Sequence, residues 1–345
     1  MNSIAETFKA HVARTPGAVC IVPHDKPAWS RQDVLDLATA IAARLQQVGA
    51  KTGSRVTIIV DKSPEAFVLY LACNLAGYVY HPANSAYTDA ELDYLIQDAK
   101  PSVVVCGSAR TLELGSMGDH STLTLDQDGT GSLLEPTGSD FSPYAAQPND
   151  WAALLYTSGT TGKPKGAMLS QENLLSNAQT LVDAWQFTER DQLLHMLPIF
   201  HAHGLFVAGN TCLCAGASML IEPAFTPDRF FQRAPEATSF MAVPTLYGRL
   251  LKDDRLTPEA VGHMRLFTSG SAPLDAVASD AFEARAGSRI LERYGMTETL
   301  MLTSNPYEGE RRAGTVGPPL PGVDLRIRKD DGSLAHSGEG GSVEV

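Results

Sequence analysis

The segment Tyr156-Thr157-Ser158-Gly159-Thr160-Thr161-Gly162-Lys163-Pro164-Lys165-Gly166 packs three glycines, four Ser/Thr residues and two lysines into eleven positions, directly after the strand-like run AALLY. Such a loop offers exposed backbone N–H groups, hydroxyl donors and cations, which is chemistry for holding phosphates. It is not a Walker loop, because only two residues separate Gly159 from Gly162 and Pro164 follows Lys163. On composition alone, a flexible turn with solvated lysines fits equally. Glu298, within YGMTET, is the kind of carboxylate that magnesium takes alongside a substrate's own phosphates. A helix-capping or surface carboxylate is the alternative. Arg249 follows Thr245 by one helical turn in VPTLYGRLL, and its guanidinium fork suits a carboxylate through two parallel hydrogen bonds. Snorkelling to solvent from an amphipathic helix is the competing reading. His201-x-His203 and Cys212-x-Cys214 could be combined into a four-ligand metal set. Their single-residue gaps are unlike the gaps of about two to four residues usual for zinc, and the Cys pair lies in an apolar segment.

In order along the chain, these motifs resemble those of the adenylate-forming superfamily, which includes acyl-CoA synthetases, luciferases and the adenylation domains of peptide synthetases. The Thr157 to Lys165 loop resembles its signature loop. Leu197-Pro198-Ile199-Phe200-His201 resembles the segment whose aromatic or His residue lies beside the acyl site. Ser269-Gly270-Ser271-Ala272-Pro273-Leu274 resembles the turn that stacks on adenine. Arg293-Tyr294-Gly295-Met296-Thr297-Glu298-Thr299 resembles the block whose Thr contacts the α-phosphate and whose Glu holds magnesium. Within the superfamily the chain is most similar to the malonyl-CoA synthetases, from its amino-terminal helices to Val345.

The resemblance implies ATP, Mg2+ and coenzyme A as cofactors and co-substrates, and malonate or a similar short dicarboxylate as the acid. It implies catalytic roles for Thr157, Lys163, Thr297 and Glu298, with Glu298 the metal ligand. Nucleotide binding is expected at Thr157, Ser158, Gly159, Thr160, Thr161, Gly162, Lys163, Lys165, Gly270, Ser271, Ala272, Pro273, Glu292, Arg293, Tyr294, Gly295, Met296 and Thr297. Acid binding is expected at His201, Arg249, Ser271 and Met301. In malonyl-CoA synthetases the Arg matching Arg249 pairs with the distal carboxylate, assisted by the Ser matching Ser271. His203 is expected to support His201, and Met301 with Thr303 to limit the α-substituent, hence malonate against methylmalonate. The chemistry is coherent. A carboxylate is a poor electrophile until it is joined to AMP with loss of pyrophosphate, and catalysis of that step is mostly positioning and electrostatic stabilisation.

The elements that must position these groups read as α/β. Ser30 caps the helical pattern SRQDVLDLATAIAARLQQVGA, which stops at Gly49. Strand, helix and strand then alternate through SRVTIIV, AFVLYLACNLAG, YVYHPAN, DAELDYLIQDAK and PSVVVCG, predicting mostly parallel sheet with crossover helices. Residues from about 107 to 150 read as a mixed loop region. After Trp151 the alternation resumes, with AALLYTSG as a strand and MLSQENLLSNAQTLVDAWQF as a helix. Strand and helix candidates then continue through RILERYG. The expected organisation is two packed α/β regions, about 1–150 and 151–305, with 306–345 beginning a small β-barrel unit.

The chain has 345 residues and a formal net charge of −12, from 27 Lys+Arg against 39 Asp+Glu. This length exceeds a single core of about 250–300 residues. The acidic balance argues against a nucleic-acid surface. Phe67 to Ala76, the longest largely apolar stretch, falls short of the ~20 residues that cross a bilayer. With no signal core at the amino terminus and five scattered cysteines, the expected location is cytoplasmic, without a membrane partner. The chain ends at Val345 inside a strand pattern, where the family continues into a mobile carboxy-terminal domain carrying a catalytic Lys. The expectation is therefore a truncated large domain, weak or inactive alone. A naturally short, non-catalytic nucleotide-binding module, or a ligase for another short acid or a carrier protein, remain as alternatives.

Overall fold

The computed structural model describes residues 1–138, 140–157 and 163–345. Strands β1 (Val19–Pro23), β2 (Trp29–Ser30), β3 (Arg55–Ile59), β4 (Val79–Pro82), β5 (Val103–Cys106), β6 (Ser121–Thr124), β7 (Trp151–Thr157) and β8 (Lys165–Ser170) come first. They are followed by β9 (Gln192–His195), β10 (Ser218–Ile221), β11 (Ser239–Ala242), β12 (Leu266–Ser269), β13 (Leu291–Met296), β14 (Leu300–Ser304), β15 (Arg326–Arg328) and β16 (Ser342–Glu344). One sheet runs β6-β5-β3-β4-β7-β8 and the other β14-β13-β12-β11-β9-β10-β1-β2. Both are parallel inside, and their antiparallel pairs, β7–β8, β13–β14 and β1–β2, lie at edges. The architecture is the expected mixed α/β with mostly parallel sheets.

The sheets do not divide at residue 150. β1 crosses to pair with β10 in the second sheet, while β7 and β8 complete the first. The helix Pro64–Ala76 is apolar and buried along its length from Glu65, packed against the helices Ile4–Arg14 and Arg31–Gln47 and against β4. The helix Arg31–Gln47 starts where the sequence places it, on a Ser30 capping box completed by Asp33.

Two expectations are corrected. Met168 to Ser170 is strand, not helix: these residues pair antiparallel with β7, and Ser170 caps the helix Gln171–Ala184 that follows. The carboxy-terminal residues form a two-stranded pair, β15–β16, and among the described residues no barrel closes. The region 107–150 also contributes a short parallel strand, β6, to the sheet edge. Among the described residues no helix is long and apolar enough to cross a membrane.

Candidate functional site

The predicted residues gather at the carboxyl ends of strands, where α/β sheets leave crevices for ligands. Thr157 ends β7 and pairs with Lys165 at the start of β8, so β7 and β8 make a hairpin whose strands flank the glycine-rich stretch. Its members Ser158, Gly159, Thr160, Thr161 and Gly162 lie outside the described residues. Lys163 and Lys165 are exposed beside it, and the Pro164 carbonyl accepts a hydrogen bond from Tyr94 Oη at 3.0 Å. Thr297, Glu298 and Thr299 form the turn between β13 and β14. The two hairpins, from different sheets, meet where Thr157 Oγ1 donates to Glu298 Oε1 at 3.1 Å. An exposed carboxylate beside a hydroxyl is a hard-oxygen set that fits magnesium, provided substrate phosphates complete the coordination.

Beneath the second hairpin lies a cavity of about 460 Å3, lined by His201, His203, Ser271, Arg293, Gly295, Met296, Thr297 and Met301, with Leu197, Pro198 and Val243. Arg293 is its most unusual wall. The side chain is 2% exposed, and Nε and Nη2 have no hydrogen-bond partner among the described residues. Burial lowers its pKa from the usual 12.5 to about 10. A Cβ on Gly270 would come within 2.5 Å of the guanidinium, so the glycine of SGSAP is what leaves room for it. Ser271, at the tip of that turn with φ +67°, shares a 3.2 Å hydrogen bond with His203 Nδ1. His203 is buried, its Nε2 has no partner among the described residues, and burial with the Arg293 charge holds it well below the usual imidazole pKa.

Arg249 opens elsewhere. It lines a larger neighbouring cavity of about 550 Å3 together with Lys62, Phe200, Phe225 and Leu246. The cavities share Leu197, Pro198, His201 and Val243 as a common wall. The Arg249 guanidinium lies over the Phe225 ring, 4.9 Å from its centroid, and among the described residues it has no carboxylate partner. Ser271 is thus seated against His203 and not against Arg249. Exposed His201 packs at a tilt against the Phe200 ring and faces both cavities. Glu292, expected at the nucleotide, is buried: Oε1 accepts from Leu274 N–H at 3.0 Å, tying the SGSAP turn to β13, and burial raises its pKa. Ala272 and Pro273 are exposed on the same turn, and Tyr294 precedes Gly295 on β13.

Sequence reasoning missed the support of the shared wall. Buried Lys62 donates to His195 Nδ1 and to the His195 carbonyl, both at 2.8 Å. The other ring nitrogen of His195 therefore carries the proton and donates to the Gly204 carbonyl at 2.7 Å. Burial and the adjacent Lys62 lower His195 to about 3, and burial lowers Lys62 well below the usual amine range. Gly204 lies in the π-helical turn His203–Gly209, and a Cβ there would strike the Pro198 carbonyl. His201 and His203 thus serve a tight loop, and Cys212 and Cys214 are free thiols on the following helix.

A family model described as AMP-binding enzyme matches residues 8–345. The mitochondrial malonate–CoA ligase of Mus musculus is 34% identical over 309 residues, covering 82% of this chain and 52% of its own length. The malonate–CoA ligase of Arabidopsis thaliana is 32% identical, over 84% of this chain and 52% of that one. The chain thus spans about half the length of these relatives. The crystal structure of ATP-bound MatB from Rhodopseudomonas palustris superposes with a TM-score of 0.94 at 45% identity, covering 99% of this chain and 70% of that one. A malonyl-CoA ligase product complex with methylmalonyl-CoA and AMP gives a TM-score of 0.76 at 34% identity, covering 90% and 65%. The hairpin geometry and the match across nearly the whole chain lead to one assignment: the chain belongs to the AMP-binding enzyme family.

Proposed function

We propose that this chain is the ATP- and acid-binding part of an acid–CoA ligase that converts malonate, ATP and CoA to malonyl-CoA, AMP and diphosphate through a malonyl-adenylate. The observation that carries the choice of acid is Arg293, a buried guanidinium in the wall of the cavity beneath the β13–β14 hairpin, with Nε and Nη2 unpartnered among the described residues. An unpaired buried cation costs several kcal/mol, a burden that an anionic ligand removes and an aliphatic one does not. Arg249, across the shared wall, adds a second positive charge without a carboxylate partner. The names of the malonate–CoA ligase relatives support the same acid.

In this reading the Thr157–Lys165 hairpin, Lys163 included, receives the triphosphate, and the SGSAP turn with Tyr294 to Met296 receives the adenosine. Thr297 stands between the nucleotide and the cavity. Glu298 would hold magnesium, which when bound would neutralise charge on the phosphate oxygens. The protein's part in adenylation is to aim a malonate carboxylate at the α-phosphorus, with the far carboxylate on Arg293 and Ser271, while His201 and Met301 limit the space beside it. Methylmalonate is the second acid this reading admits, since a solved relative holds methylmalonyl-CoA. Carboxylate-dependent ATP–pyrophosphate exchange across malonate, methylmalonate, succinate, acetate and hexanoate tests the assignment. Exchange with malonate or methylmalonate above the others is expected, and preference for hexanoate would overturn it.

A further inference from the structure

Met301 is held from three sides, and one of its holders belongs to no part of the site described so far. β14 is the edge strand of its sheet, so Met301 lacks a strand neighbour on its outer side. Asn177, on the helix Gln171–Ala184, fills that place: its Nδ2 donates to the Met301 carbonyl at 2.9 Å and its Oδ1 accepts from the Met301 N–H at 3.3 Å. On the inner side Met301 pairs with Gly295, where a Cβ would come within 2.5 Å of Met301 Cε and would strike the Leu300 carbonyl. Leu300, immediately before it, is buried in the left-handed region at φ +56°, a conformation that a branched side chain keeps only when its surroundings enforce it.

Resting on the reading that the cavity takes a short dicarboxylate, we propose that Asn177 is a positioning residue for acid selectivity, setting where the Met301 side chain stands in the acid cavity. The helix that carries Asn177 leaves directly from β8 of the phosphate hairpin, so nucleotide loop and acid wall are joined through one rigid element. Trp185 Nε1 donates to Ser304 Oγ at 3.0 Å and pins the far end of β14 independently. Removing the Asn177 amide therefore frees the Met301 end without unseating the strand.

Malonate and methylmalonate are titrated into the chain saturated with magnesium and a non-hydrolysable ATP analogue, for wild type, Asn177→Ala and Asn177→Asp. Loss of both hydrogen bonds in Asn177→Ala is expected to change the ratio of the two acid Kd values about fivefold or more, with nucleotide affinity within about twofold. Asn177→Asp, which keeps the acceptor and loses the donor, is expected between the two. In ligand-free protein, the ε-methyl resonance of Met301, assigned with Met301→Leu, is expected to broaden or shift in Asn177→Ala. An unchanged ratio of the two acid Kd values, equal weakening of both included, overturns the proposal whatever the Met301 signal does. If the wild-type chain binds neither acid, the preceding reading fails and this one falls with it; if wild type binds and only the ratio is indifferent to Asn177, this one fails alone.

Discussion

Arg293→Met separates an acid-binding role from a structural one, because the two make opposite predictions for stability. The side chain is 2% exposed and has no carboxylate partner among the described residues, and burial holds its pKa near 10 instead of 12.5. That difference corresponds to roughly 3 kcal/mol of unfavourable desolvation of the charged form in the ligand-free protein. Methionine is unbranched, apolar and adaptable, so it fills the space without carrying the charge. Allowing for solvent that would enter the cavity and offset part of the penalty, the expected stabilisation is about 1–3 kcal/mol. Spread over the unfolding entropy of a chain this long, that is a rise of about 1–4 °C in Tm. Malonate binding should meanwhile weaken about a hundredfold or more, the cost of removing one partner of a buried ion pair. Differential scanning calorimetry and isothermal titration with an ATP analogue present measure both. A lower Tm with an unchanged malonate Kd would refute the reasoning, since the guanidinium would then be serving the fold.

Gly270→Ala should act through the same group: its Cβ would stand 2.5 Å from Arg293 Cζ, so titration should show malonate affinity falling about tenfold, and calorimetry a stability loss of about 1–3 kcal/mol from overpacking. Glu298→Gln, at an exposed turn, should leave Tm unchanged while reducing the magnesium-dependent part of ATP-analogue binding about tenfold; equal binding with and without magnesium in wild type would count against the metal role. Burial lowers His81 to about 4 and His195 to about 3, both below an unfolded value near 6.5. Their contribution is therefore complete above pH 6.5 and is lost as pH falls toward the folded values, at about 3 kcal/mol per pH unit for the two together. Tm measured between pH 6.5 and 5 should fall accordingly, and His81→Asn should remove about half of that slope.

The site was legible in the sequence where its chemistry is local. The phosphate hairpin, the SGSAP turn and the Glu298 turn are each short runs whose residue types state their use, and Ser30 announces its helix through a capping box. What escaped detection depends on partners distant in sequence. Lys62 meets His195 across 133 residues and Asn177 meets Met301 across 124, and no local pattern encodes either contact. β1 joins the second sheet by pairing with β10, and β6 is a short, polar edge strand that composition assigns to a loop. Met168 to Ser170 could serve a helix or a strand, and pairing with β7 decided it. Arg293 was visible as part of a motif, but its lack of a hydrogen-bond partner among the described residues is a property of the folded interior.

The most direct test is the titration of malonate and of hexanoate into the chain saturated with magnesium and a non-hydrolysable ATP analogue. Malonate is predicted to bind one per chain, with Arg293→Met weakening it about a hundredfold or more, and hexanoate to bind far more weakly. Hexanoate binding as tightly as malonate, or malonate binding indifferent to Arg293, would contradict the claim that a buried, unpaired guanidinium selects the acid.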